Sequence, residues 1–133
     1  MIVFDTYAWI EYFIGSKPGV TAGEYIESGK GIVTPDIVLA EIARKYLREN
    51  ISATEVKKRL YYITSRSEIE TIDAELSLNA AQAWQELVVN AKKRKLRRPS
   101  LTDGIVLAAA RRHRARVLTS DRHFEGLVET QMI

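Results

Sequence analysis

Cysteine is missing altogether from the 133 residues, and histidine occurs only twice, at His113 and His123. The first absence excludes disulfides and thiolate-bound metals, and the second leaves too few nitrogen donors for an ordinary zinc centre. With three prolines and seven glycines, the chain holds no linker or low-complexity tract. Nor is there a long apolar run. The N-terminal "MIVF" is interrupted by Asp5 and Glu11 and preceded by no Lys or Arg, so it reads as neither a secretory leader nor a membrane span. A cysteine-free chain of this kind is expected in the cytoplasm. What remains is 46% hydrophobic and 28% charged, the balance of one globular domain over residues 1–133 with a real core.

Net charge is only +3, but it is segregated. Residues 91–116 carry ten cations (Lys92, Lys93, Arg94, Lys95, Arg97, Arg98, Arg111, Arg112, Arg114 and Arg116) against the single acid Asp103, which is +9; the rest carries ten basic and sixteen acidic residues, which is −6. Such a segment can be an electrostatic footprint for phosphates. It can equally be a solvated helix end and loop.

Hydrophobic periodicity predicts short strands alternating with helices. "MIVF" reads as a buried strand ending at Asp5, and "TYAWIEYFIG" as a helix with Ala8, Trp9, Tyr12 and Phe13 facing inward, stopped by Gly15. A helical stretch from Pro18 ends at Gly29 and Gly31, "GIVT" is a second strand, and "DIVLAEIARKYLREN" is a helix with Val38, Leu39, Ile42 and Tyr46 as its apolar stripe. "SATEVKKRLYYITSRS" opens on Ser52 and Glu55, the pattern of a capping box. "IETID" is a candidate third strand, "AELSLNAAQAWQELVVNAKKRKL" a long helix turning basic, and Pro99 a break. Ser100 or Thr102 caps the next helix, which ends near His113; "ARVLTS" is a fourth strand and "GLVET" a possible edge strand. The alternation implies an α/β fold, a three-layer α/β/α sandwich around a short, mostly parallel sheet. Ligands bind such sheets beyond the carboxyl ends of the strands.

Four acids fall where they can meet at that edge: Asp5 after the first strand, Glu41 in the helix after the second, Asp103 opening the helix before the fourth, and Asp121 after the fourth. Each also has a purely structural reading. Asp5 can cap a helix, Asp103 can complete a capping box with Ser100, Glu41 can pair with Lys45 one turn on, and Asp121 can start a turn before His123. If they converge, their repulsion must raise pKa values or be relieved by a cation. Oxygen donors suit Mg²⁺ or Mn²⁺, and both histidines are expected at the surface rather than on a metal. Carboxylate-held Mg²⁺ beside a basic surface points to phosphodiester chemistry, with Thr6, Thr119 and Ser120 placed to orient water or phosphate.

In three segments, "IVFDTYAWIEYF" (2–13), "TPDIVLAEIARKY" (34–46) and "LTDGIVLAAARRHRARVLTSDRHF" (101–124), the chain resembles the PIN-domain ribonucleases, above all the toxin subunits of VapBC-type toxin–antitoxin pairs. The resemblance spans nearly the whole chain. It implies an endoribonuclease using one or two Mg²⁺ or Mn²⁺ ions, with Asp5, Glu41, Asp103 and Asp121 as catalytic metal ligands and Thr119 or Ser120 as the hydroxyl beside the fourth acid. It also implies a homodimer or higher homo-oligomer and a small antitoxin whose tail reaches the acidic site. Tyr7 departs from the pattern, standing where a small residue is common, and "KKRKLRRP" (92–99) is unusually basic. RNA contact is expected from Lys92, Lys93, Arg94, Lys95, Arg97, Arg98, Arg112 and Arg122.

Two other classes compete. A non-catalytic RNA-binding module would use the basic segment while the acids serve as caps. An interaction protein would present Trp9, Tyr12, Tyr46, Tyr61 and Tyr62 on a helical face. A phosphohydrolase of the haloacid-dehalogenase type needs a second aspartate two residues after the first, and Tyr7 occupies that position.

Overall fold

The computed structural model describes all 133 residues. Five strands, β1 (Ile2–Phe4), β2 (Ile32–Pro35), β3 (Glu68–Glu70), β4 (Arg116–Thr119) and β5 (Thr130–Met132), form one sheet in the order β3-β2-β1-β4-β5. Every pairing is parallel. Six helices flank it: α1 (Thr6–Ile14), α2 (Lys17–Glu27), α3 (Asp36–Arg48), α4 (Ala53–Arg66), α5 (Ala74–Lys93) and α6 (Leu101–Arg112). Strand order reverses at β1. The chain moves outward to β2 and β3, then returns to β4 on the other side, and right-handed crossovers put α5 and α6 on the face opposite the earlier helices. The crevice between the ends of β1 and β4 is therefore the topological switch point, where ligands bind in open α/β sheets.

The core explains the strand runs. Val3, Phe4, Val33, Val117 and Leu118 are fully buried, as a parallel sheet covered on both faces requires. Trp9 is buried beside Phe4, ring centroids 4.9 Å apart, and its indole N–H donates to the Thr34 hydroxyl at 3.1 Å. Ala8 is buried with it, but the third buried residue of α1 is Ile10, while Tyr12 and Phe13 are half-buried and pack against Tyr62 and Tyr46. Of the five aromatics considered for a partner surface, only Tyr61 is largely exposed, at 62%. No helix is long and apolar enough to cross a membrane.

Element ends differ from the periodicity in identifiable ways. β3 stops at Glu70, because Asp73 has already become the N-cap of α5, accepting from the Leu76 N–H at 2.8 Å. α5 ends at Lys93 rather than running to Leu96, with Lys95 in the left-handed region at φ 56° and the Leu96 N–H closing onto Ala91. The last strand is displaced from 126–130 to Thr130–Met132, since Gly126 (φ 88°) and the Leu127 N–H on Phe124 make a turn first. Ser52 does accept from the Glu55 N–H, but the Glu55 carboxylate pairs with Arg59, so that capping box is half formed.

Helix α6 is apolar all round. Gly104 through Ala110 are seven consecutive buried residues, so α6 runs as an internal helix between α5 and the sheet. Gly104 allows that approach: a Cβ there would lie 2.5 Å from the Ala80 carbonyl oxygen and 2.8 Å from Trp84 Cβ. Gly104→Ala would gain about 1 kcal/mol of helix propensity but incur about 2–3 kcal/mol of overpacking against α5. The expected net loss is about 1–2 kcal/mol in urea denaturation, whereas a stabilised variant would mean that α5 yields freely.

Candidate metal centre and nucleic-acid cleft

Asp5 leaves β1 at the switch point and is only 4% exposed. One carboxylate oxygen caps α1, accepting from the Ala8 N–H at 2.8 Å, and the other accepts from the Thr119 hydroxyl at the end of β4. The same hydroxyl oxygen accepts from the Asp121 N–H at 2.8 Å. Thr119 thus ties the ends of both central strands together. Burial pushes the Asp5 carboxyl up to about 8; the Thr119 and Ala8 hydrogen bonds oppose this, and the charges of Asp121 and Asp103 add to it.

Asp103 sits in the first turn of α6 in a complete capping box with Ser100. The Ser100 N–H donates to its carboxylate at 3.0 Å, and its own N–H donates to the Ser100 hydroxyl at 3.3 Å. Burial, and then the neighbouring Asp121, push its carboxyl up to about 6. Asp121 caps the 3-10 turn Arg122–Phe124, and one of its oxygens faces both the backbone N–H (2.9 Å) and ring Nδ1 (2.8 Å) of His123. His123 Nε2 meets the Arg97 carbonyl at 2.7 Å. Burial would lower the pKa of this ring, but two acceptors on its two nitrogens win and raise it. Glu41, from the second turn of α3, accepts from the Thr6 hydroxyl. Lys45 pairs with Glu49 at 2.7 Å instead of with Glu41.

Glu41, Asp103 and Asp121 line one cleft of about 370 Å³ with Thr6, Ser100 and His123, and Asp5 lies buried beneath. Asp103, Asp121 and His123 offer ligand atoms all within 4.8 Å of one another. Three of the structural readings hold at the same time as the convergence: the cap on α1, the capping box and the turn are what aim the acids. A donor set of carboxylate oxygens, with the Asp5 and Asp103 carboxyls pushed above the usual range by burial and mutual repulsion, fits a hard divalent cation such as Mg²⁺ or Mn²⁺. A single imidazole does not fit zinc. Both histidines, expected at the surface, are half-buried: His123 in this cluster, and His113 against Glu70 at 2.9 Å. Ser120 makes no side-chain hydrogen bond and does not line the cleft.

The basic residues divide differently from their order in sequence. Arg97 and Arg98 line the cleft, and Arg98 is held 5.0 Å over the Trp84 ring, whose N–H donates to the Pro99 carbonyl at 2.9 Å. Lys92, Lys93 and Lys95 do not line it. Arg94 is spent on Glu125 (2.7 Å) and on the carbonyls of Arg122 and Glu125. Arg122 is 72% exposed, 3.6 Å from Glu125. Arg112 is bound to Glu70 at 2.9 Å and Asp73 at 2.7 Å, and Arg111 to Glu86 and Glu129, so the 111–112 pair is neutralised away from the cleft. The rest of the cationic lining comes from α3 residues that the sequence reading did not assign to nucleic-acid contact: Arg44, Lys45 and Arg48. They lie three, four and seven positions after Glu41, the spacing of a single helix face, and that signal was available.

A sequence profile for the PIN domain matches residues 2–129. Among curated proteins, none matches the sequence. Solved structures share the fold across almost the full chain. A toxin–antitoxin complex from Klebsiella pneumoniae aligns at TM-score 0.68 and 21% identity, covering 98% of this chain and 96% of its own. VapC20 of Mycobacterium tuberculosis, described as a sarcin–ricin loop cleaving toxin, aligns at 0.67 and 22% identity, covering 97% and 98%. VapBC2 of Rickettsia felis, bound to a DNA fragment from its promoter, aligns at 0.67 and 18%, covering 100% and 98%.

The raised carboxyls fix a pH dependence. Asp5 protonates at about 8 when folded but near 4 when unfolded, so between those values the unfolded chain has already given up a proton that the folded chain keeps. Its contribution is complete below about pH 4 and lost as pH rises through about 8. Without divalent cation, the melting temperature should fall between about pH 5 and pH 8, and Asp5→Asn should flatten that fall. A melting temperature that rises over this range would contradict the assignment.

Proposed function

Because the chain belongs to the PIN domain family, we propose that it is a Mg²⁺- or Mn²⁺-dependent endoribonuclease, the toxin of a toxin–antitoxin pair acting in the cytoplasm. The observation that carries this is the convergence of Glu41, Asp103 and Asp121 on one cleft above Asp5, lined also by Arg44, Arg48, Arg97 and Arg98. Shared fold with a toxin described as cleaving the sarcin–ricin loop, and with toxin–antitoxin complexes, supports it.

The four acids, Asp5, Glu41, Asp103 and Asp121, would hold the cation, one ion or two. When bound, it polarises the scissile phosphate and acidifies the attacking water. Asp5, protonated until about pH 8, would give up its proton on binding. Glu41, fixed by Thr6, orients the water and accepts its proton, and Thr119 keeps Asp5 and Asp121 in register. Arg97 and Arg98, and Arg44 and Arg48 from α3, hold phosphates on either side of the break. A small antitoxin that fills the cleft would silence it, and a homodimer or higher homo-oligomer is the assembly proposed for the toxin.

In a mixed structured-RNA pool with Mn²⁺, the wild type should cleave, and EDTA or Asp103→Asn should abolish cleavage. Asparagine can still accept from the Ser100 N–H, so the variant should melt within a few degrees of wild type. RNA affinity that survives EDTA with no cleavage under any metal would favour the binding-module reading. The double change Arg44→Gln with Arg48→Gln should reduce the steepness of log affinity against log salt by about 1.4 on single-stranded RNA, two phosphate contacts' worth. An unaltered slope would take the α3 arginines out of the RNA path.

A further inference from the structure

The lining of the cleft is almost wholly polar. Of its thirteen residues only Tyr7 and Ile10 are hydrophobic, and they stand one turn apart on α1. Ile10 is 4% exposed and belongs to the core. Tyr7 is 49% exposed, its hydroxyl makes no hydrogen bond within the chain, and its ring stacks on no other aromatic. Packing therefore does not account for it. The side chain nevertheless sits within the field of Asp121, Asp103, Asp5 and Glu41 together and lines the same cleft as three of those acids and Arg44, Arg48, Arg97 and Arg98. A phosphate has no reason to lie on that ring, because the arginines serve it. A nucleobase does: every base has a π-face, and stacking on an exposed aromatic is how unpaired bases are commonly held.

We propose that Tyr7 is the stacking platform for the base of a nucleotide flanking the scissile phosphate. The inference rests on the nuclease reading above. It assigns Tyr7 a positioning and specificity role, since a base held within a duplex is already stacked on its neighbours and is not free to move onto the ring.

The test is affinity for a single-stranded 12-nucleotide RNA and for the matched RNA duplex, in EDTA to prevent cleavage, over a salt series. Tyr7→Ala should weaken single-strand binding about tenfold and leave the salt slope unchanged, because no charge is lost. Tyr7→Phe and Tyr7→Trp should bind within about twofold of wild type, and duplex affinity should be the same for all four proteins. Single-strand binding by Tyr7→Ala equal to wild type would overturn the proposal, and so would a Tyr7→Phe variant as weak as Tyr7→Ala, which would assign the role to the hydroxyl. If the wild type neither binds nor cleaves RNA, the nuclease reading falls and Tyr7 with it. If the wild type binds and cleaves but is indifferent to Tyr7→Ala, only the stacking role falls.

Discussion

Asp5 sits almost wholly out of water at the end of the central strand, with one oxygen on the start of α1 and the other on the Thr119 hydroxyl. Burial of an ionised carboxylate is costly, and here the fold does not pair it with an arginine or lysine. It supplies two hydrogen bonds, enough to fix the side chain but not enough to keep it charged, and the carboxyl rises to about 8. Everything else in the cleft inherits that constraint. Asp103 and Asp121 cannot approach Asp5 as free anions without raising the repulsion further, so the arrangement is complete only when a proton or a cation shares it.

The same local devices that terminate and start helices also aim the acids. Asp5 is an N-cap, Asp103 the third residue of a capping box, and Asp121 the cap of a 3-10 turn. Each cap uses only part of the carboxylate's accepting capacity. Asp103 and Asp121 line the crevice at the strand-order reversal, and Asp5 lies buried beneath it. Gly104 then lets α6 lie close against α5, and Trp84 on α5 holds the loop that delivers Ser100 and the arginines. A structural role thus does not exclude a chemical one for these residues; a cap provides the rigidity that a metal ligand would need.

Strand and helix order was legible because short apolar runs and caps are local signals. Asp5, Glu41, Asp103 and Asp121 were legible as a set because parallel topology sends strand ends to one edge. The basic surface was not. Counting charge along the sequence grouped Arg111 and Arg112 with Arg97 and Arg98, yet the first two meet Glu86, Glu129, Glu70 and Asp73, acids from distant elements. Conversely, Arg44, Lys45 and Arg48 lay in the segments that sum to a negative charge and were lost in the average, although helical periodicity places them on the face of Glu41. His123 was misplaced for a similar reason: its partner, the Arg97 carbonyl, is 26 positions away and carries no side-chain signal.

The most direct test of the central claim is calorimetric titration of Mn²⁺ into metal-free protein near pH 7, repeated in two buffers of different ionisation enthalpy. If the acids are crowded around a cation site, with Asp5 protonated until about pH 8, Mn²⁺ must bind and expel protons, and the apparent heat must differ between the buffers. Absence of binding, or binding with no proton released, would contradict the account.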